Sequence, residues 1–434
     1  MNTEELIAVA EGLVKELQGR MNSGRMGLQD AEAKILEMVN WIGDAMVQEV
    51  VAGLEEPTCA NQITVGGEVA VFERVRNLRF INRFGEEVVH ARRCYRYRDR
   101  SGGVAPLDVK LGIDGCFGFS PLLTFLICML GADESYARAA QKLEAVLGFK
   151  VCSTAVQRTT EKTGERIPDD PTALIGEQRQ RQPCSLMVVE VDGTTSPQIT
   201  EQEGVTGRAG LRAPTCYKEC NLVVIEKHGG DKVVDRWTGA RYGPRHEFAA
   251  YAEQAGLRMG FLEAPQTVFL ADGAHHNWEL QQTHFPGAIP ILDYYHAAQH
   301  LAAFCNLLPA TLCTSHRERW STMMYEGEVL QMIHEMKRAL GKVTDTDQAW
   351  KQINYFTNNQ ERMDYPRYRE AGWPIGSGLV EGQCKFVVGR RFKGNGMRWQ
   401  PHDNRCVLRT RLALLNGDLK RYFSPPDECE IKAA

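Results

Sequence analysis

The chain has 434 residues, 43% of them hydrophobic, and its 51 basic and 55 acidic residues leave a net charge of −4. That length allows two to four domains with real cores, and the balanced charge excludes a small, uniformly basic nucleic-acid binder, so any anionic partner must meet a local cluster. The 13 cysteines form no CxxC pair, and none lie closer than Cys216 and Cys220, which excludes a zinc ribbon or redox motif and suits free thiols in a reducing cytoplasm.

The N-terminal MNTEELIAVAEGLVKELQ has early acids and helical periodicity, unlike a signal peptide. No apolar run reaches membrane-spanning length, so a soluble, cytoplasmic protein with no membrane partner is expected. Residues 1–58 read as helices, with Leu6, Val9, Leu13 and Leu17, then Ile35, Met38, Ile42 and Met46, at spacings of three and four. Residues 59–112 turn β-like. Within them, 73–100 holds nine arginines against Glu73, Glu86, Glu87 and Asp99, with Phe80, Phe84, Tyr95 and Tyr97 interleaved. That pattern suits a DNA backbone or, equally, a half-exposed sheet with solvated arginines.

Residues 113–168 predict three helices: Ser120–Leu130, Ser135–Val146, and a third with Ser153 as N-cap, Gly148 ending the second. The outline is that of a helix-turn-helix, with Gln157, Arg158 and Lys162 placed to meet a DNA groove; a plain helical bundle gives the same outline. Pro168, Pro171 and GEQRQRQP at 176–183 predict a linker.

From residue 183 the order is three strands (SLMVVEVDG, KECNLVVIEKHGG, VVDRWTGARYG), a helix, then TVFLADG and AIPILD, each leading into a helix. This is the order of a mixed sheet covered by helices. Residues 301–372 are helical throughout and read as an insertion. Residues 373–434 return as a glycine-led helix and a basic C-terminal helix.

Three predicted strands end on aspartate: Asp192, Asp272 and Asp293. A fourth acid, Glu381, follows WPIGSG on a helix that also carries Lys385. Carboxylates converging from separate elements bind hard divalent cations, and two such ions support in-line phosphoryl transfer. Asp192-Gly193 and Asp272-Gly273 also have plain turn composition, Glu381 suits a first helical turn beside Lys385, and Glu190 shares a face with Asp192. Those alternatives stay open on the residues alone. A haloacid-dehalogenase-like phosphatase needs a second acid two residues after the first, and Thr194 stands there.

The segments VEVDGTT, FLADGAHHNW, ILDYYHAAQHL and GSGLVEGQCKFVVGRRFKGNGMRW resemble the signature blocks of bacterial insertion-sequence transposases, closest to the Kra group near the mutator-like enzymes. The resemblance covers roughly residues 70–415. It implies a multidomain α+β/α/β chain in which a ribonuclease H-like mixed sheet (183–300 and 373–434) with a helical insertion follows a helical, helix-turn-helix N-terminal region. It further implies a DDE transposase that cleaves and transfers DNA strands at insertion-sequence ends. Asp192, Asp272 and Glu381 would be its metal triad, separated by 80 and 109 residues, with Mg2+ or Mn2+ as cofactor. Asp293 and His296 match a further motif of those enzymes, in which a Cys or Asp is followed two residues later by His. Expected partners are double-stranded DNA (inverted repeats and target) and further copies of the chain, as a homodimer or higher oligomer, in a bacterial cytoplasm near the nucleoid. The alternative is a domesticated transposase kept as a sequence-specific DNA-binding regulator without catalysis. Relatives often carry a cysteine-rich element before the helix-turn-helix, of which only Cys94 remains.

The last cluster, 383–422, has ten basic residues against Asp403 and Asp418. Lys385, Arg390, Arg391, Lys393 and Arg398 are expected on a DNA backbone, and Trp399 and Trp278 on unpaired bases. His296 and His300 have helical i, i+4 spacing, but HAAQH lacks the acid of a zinc protease. His296 is instead expected to bond a catalytic carboxylate or a phosphate, with His275 and His276 in similar roles.

Overall fold

A computed structural model describes residues 3–113, 116–199, 215–424 and 431–433. No helix among them is long and apolar enough to cross a membrane. The chain divides into two compact units, residues 1–167 with 417–434, and residues 168–416.

The first unit holds an antiparallel sheet of β1 (Gln62–Val65), β2 (Glu68–Ile81), β3 (Glu87–Tyr97) and β4 (Gly103–Val104), with the C-terminal strand Ile431–Ala433 on the outer edge of β1. Two long helices, α1 (Thr3–Asn22) and α2 (Leu28–Ala52), precede it. After it come α3 (Pro121–Asp133), α4 (Tyr136–Leu147) and α5 (Ser153–Arg166). The hydroxyls of Ser120 and Ser135 cap α3 and α4, and Gly148, at φ 79°, closes α4 in a conformation glycine adopts without strain. Ser153 is not the cap expected of it. Cys152 holds that place with no side-chain bond, and Ser153 is the first helical residue.

Leu123, Ile127, Leu143, Leu147 and Val156 form the core of the three helices, each fully buried chain contributing about 1.5–3 kcal/mol. α2 turns an unexpected face inward. Ile35 and Met46 are 47% and 59% exposed, while Asn40 donates to the Leu147 carbonyl at 2.7 Å and Gly43 lies under the Phe84 ring. Close approach to ring and helix end selects small and polar residues there, which a hydrophobic count overlooks. The regions predicted separately at 1–58, 59–112 and 113–168 thus form one unit. Residues 417–434 belong to it too, with Phe423 edge-on to Phe125, and do not complete the second sheet as expected.

The second unit is built on β5 (Leu186–Ile199), β6 (Thr215–Gly229), β7 (Lys232–Tyr242), β8 (Thr267–Ala271) and β9 (Ile289–Leu292), in the order β7-β6-β5-β8-β9. β5, β6 and β7 are antiparallel, and β5, β8 and β9 run parallel. Residues 187–191 and 267–271 are buried on both faces, which explains their continuous apolar runs. α6 (Arg245–Arg258), α7 (His275–His284) and α8 (Tyr294–Cys305) follow β7, β8 and β9.

Residues 301–372 form α9 (Ala310–Tyr325), α10 (Val329–Arg338), α11 (Thr346–Asn359) and α12 (Tyr365–Glu370). Trp320, Met332, Ile353, Phe356 and Tyr365 join one core with Phe269, Leu292 and Phe304, so these helices are part of the sheet's packing. The predicted linker is a packed strap as well. Lys227, 1% exposed, donates to the carbonyls of Arg179, Gln180 and Gln182 at 2.6, 3.2 and 2.8 Å.

Candidate active site

β5 does not end at Asp192. It continues to Ile199 against β6, with Asp192 opposite Leu222 and Gly193 opposite Asn221, so no turn exists at Asp192-Gly193. Asp192 sits mid-strand, half-buried, accepting from the Gly193 amide at 2.7 Å and from the Cys384 thiol. Burial pushes its pKa up, the Gly193 and Cys384 bonds pull it down, the Asp272 charge raises it and His296 lowers it.

Asp272 leaves the buried strand β8 at a turn that needs Gly273, at φ 93° and packed within 3 Å of Leu292 and Tyr355 as judged from an added Cβ. Its Oδ1 accepts from the Ala274 amide at 3.0 Å and the Asn277 side chain at 2.9 Å, and its carbonyl accepts from the Tyr355 hydroxyl at 2.8 Å. No hydrogen bond to Oδ2 is found among the described residues. α11, from the helical insertion, therefore braces this turn, and His300 stacks on Tyr355 with ring centres 3.6 Å apart.

Asp293 caps α8 through the His296 amide at 2.8 Å. Its Oδ2 also accepts from the Ser377 amide at 2.5 Å and from the Ser377 hydroxyl, and lies 3.5 Å from His296 Nδ1. Burial pushes the Asp293 pKa up, but the His296 and Ser377 bonds outweigh it and hold the pKa below the ordinary carboxylate range. His296 is shifted upward, first by its bond to Asp293 and further by the Asp293, Asp272 and Asp192 charges. With both oxygens engaged and only 2% of its surface exposed, Asp293 is an anchor rather than a metal ligand.

Glu190 plays the matching part. Buried at 3% exposure, it accepts from the Val380 amide at 2.9 Å at the start of α13 (Gly378–Gln383). Burial pushes its pKa up to about 8 against the pull of the Val380 bond. Two buried acids, one on β5 and one just after β9, thus clamp the segment 377–380 that presents Glu381. Glu381 itself is exposed and paired with Lys385 at 2.6 Å. One turn further on, Cys384 touches Asp192, so the helix bearing Glu381 lies against the strand bearing Asp192. The chain widens there into a π-helical turn, Cys384–Gly389, a distortion frequent at functional sites.

The basic segment divides by exposure. Lys385, Arg390, Lys393 and Arg398 are exposed, whereas Arg391 (1%) and Trp399 (8%) are buried. Arg391 lies over the Trp399 ring, whose Nε1 donates to the Phe392 carbonyl at 3.2 Å. Both are packing residues, not DNA-facing ones. Trp278 is buried too, donating to Asn359. Lys393 bonds the Thr194 hydroxyl at 2.7 Å, and Trp399 bridges to Pro197 and Ile199, so the segment runs beside the end of β5. His275 is exposed beside Glu279, and burial lowers the pKa of His276.

In the first unit, Gln157 and Arg158 are exposed on α5, Gln157 bonding Glu161 at 3.0 Å. Lys162 is half-buried, with its Nζ 5.5 Å from the Phe117 ring centre, which ties it to local packing. Ser377, Cys384, Asn277 and Tyr355 went unnoticed in the sequence. Of these, only Ser377 carried a signal, as the polar residue of a glycine-rich turn before an acid. No protein-family model and no curated protein matches the chain.

Proposed function

We propose that the second unit is a ribonuclease H-like catalytic domain and the chain a DDE-type transposase that cleaves and transfers DNA strands in a bacterial cytoplasm. One observation carries the reading. Asp192 lies on the central strand β5, Asp272 ends the adjacent parallel strand β8, and Glu381 rides on a helix laid against β5 after a helical insertion. In open sheets with parallel members, ligands gather where such strands deliver their carboxyl ends.

The donor set fits Mg2+ or Mn2+. Asp192 and Asp272 are hard oxygen donors whose charges oppose each other in a partly desolvated setting, as a divalent cation would relieve. Asp192, Asp272 and Glu381 would hold it, and when bound such ions supply charge stabilisation for in-line phosphoryl transfer. The chain's own residues do the positioning. Gly193, Ala274 and Asn277 fix one oxygen each of the two aspartates, and Glu190 and Asp293 hold the Glu381 segment. Lys385, Arg390, Lys393 and Arg398 neutralise the scissile backbone. Gln157 and Arg158 on α5 are proposed to read base edges at the inverted repeats in a helix-turn-helix.

Asp192→Asn, Asp272→Asn and Glu381→Gln are each expected to abolish Mg2+-dependent strand cleavage while duplex binding stays near wild type. Retained cleavage in the Glu381 variant would falsify its assignment. Binding without cleavage by the wild-type chain would favour a DNA-binding regulator instead.

A further inference from the structure

The long hairpin β2–β3 carries a second basic feature, remote in sequence from the proposed triad. Arg76 stands directly opposite Arg92 in the ladder, and Arg74 opposite Cys94. Like charges placed opposite each other on adjacent strands destabilise a sheet, and Asp108, paired with Arg92, offsets only one of the two charges. Arg76, Arg92, Arg96 and Arg100 all line one open groove of about 890 Å³, with Glu73, Cys94, Tyr97 and Asp108 among its walls.

Ion pairs offset part of the charge: Arg92 with Asp108, Arg96 with Glu73, and Arg100 with Glu68. Arg76 is exposed and has no acidic partner among the described residues, and Arg96 is 70% exposed despite its pair. A guanidinium has five N–H donors, so an arginine paired to one carboxylate still offers an edge to a phosphate.

We infer that this groove binds the phosphate backbone of duplex DNA, an inference that rests on DNA being the partner proposed above. Two observations set the ligand class. Arg92 and Arg96 lie four residues apart on one strand, about 13 Å at ~3.3 Å per residue, too far for one phosphate and suited to separate phosphates along a polyanion. The aromatic rings beside them are already engaged by the protein. Tyr95 is buried, Arg93 covers Phe72 at 3.9 Å, and Arg100 covers Tyr97 at 3.7 Å. Single-strand binding relies on such faces, whereas a duplex backbone needs only the charges.

The test measures full-length protein on a random-sequence duplex across about 50 to 200 mM salt. Replacing Arg76, Arg96 and Arg100 together by Ala is expected to weaken binding about tenfold or more and to flatten the log–log salt slope by roughly 2–3. The corresponding Lys triple keeps the charges and the wild-type slope. Arg76→Glu, a single change at an exposed site, guards against misfolding and is expected to weaken binding several-fold with an unchanged melting temperature. Wild-type affinity and slope in the Ala triple or in Arg76→Glu would overturn the groove, as would a wild-type chain that ignores duplex DNA or a preference for single strands lost in the Ala triple. A protein that binds duplex through these arginines yet never cleaves it keeps the groove and removes the transposase reading.

Discussion

Two acids of the second unit look alike in sequence and differ in use. Asp293 spends both oxygens on protein donors, whereas Glu381 is exposed to solvent and Lys385. Asp293→Ala is therefore expected to cost about 2–4 kcal/mol in urea unfolding, since it strands the buried Ser377 amide and removes charge-assisted bonds. Glu381→Gln is expected to stay within about 0.5 kcal/mol of wild type. The Asp293–His296 pair also sets a pH dependence. His296 binds its proton more tightly in the folded chain, so its contribution is whole below about pH 6.5 and fades as pH climbs through the raised value. Asp293, held low, contributes fully above about pH 3.9 and loses its contribution as pH falls through the depressed value. In melting curves from about pH 3 to 9, His296→Gln should remove the alkaline loss attributable to the pair, and a wild-type alkaline limb in that variant refutes the assignment. The neighbours Arg390 and Arg391 give a further contrast. Arg391→Ala is expected to lower stability by about 2 kcal/mol or more through lost packing on Trp399, while Arg390→Ala, at an exposed site, is expected to shift melting far less and to weaken the proposed DNA binding in a salt-dependent way.

Among the elements, α2 shows how contact geometry overrides hydrophobic pattern. A Cβ on Gly43 would fall 2.4 Å from the Phe84 ring, so Gly43→Ala is expected to cost about 1–3 kcal/mol, despite alanine's better helix propensity. Pairing it with Phe84→Leu should recover much of the loss, and strictly additive losses in the double-mutant cycle would show that the contact is not the cause. The strands of the second unit were legible because burial on both faces leaves long apolar runs, and α3 and α4 because serine caps and Gly148 mark their ends. The far end of β5 was not: its outer half is held by pairing with β6, and polar Gly193–Thr195 lie within that ladder. Of the candidate site, the acids could be read from their places after apolar runs. Their division into ligands and clamps could not, because it depends on Ser377 and Val380 arriving from nearly two hundred residues after β5 begins. Burial of Arg391 and Trp399 was invisible for a related reason, as a basic aromatic run has the same composition whether it faces solvent or packs.

At the scale of the molecule, residues 168–416 stand as one compact unit set within the sequence of another. Expressed alone, 168–416 is expected to melt in one cooperative transition by calorimetry. Residues 1–167 alone are expected to melt lower than the same residues joined through a flexible linker to 417–434, because they lack the strand on β1 and the Phe423 contact with Phe125. Equal melting temperatures for those two forms would show that the tail adds nothing. The same arrangement has a consequence on the ribosome. The edge of β1 emerges early, but the strand that covers it is translated only after the whole second unit, a wait on the order of twenty to seventy seconds at ~5–20 residues per second. During that interval Gln62–Val65 presents an unpaired row of N–H and C=O groups, the kind of edge that templates aggregation. Nascent chains stalled before residue 431 are therefore expected to aggregate, or to recruit chaperones, more readily than the finished chain.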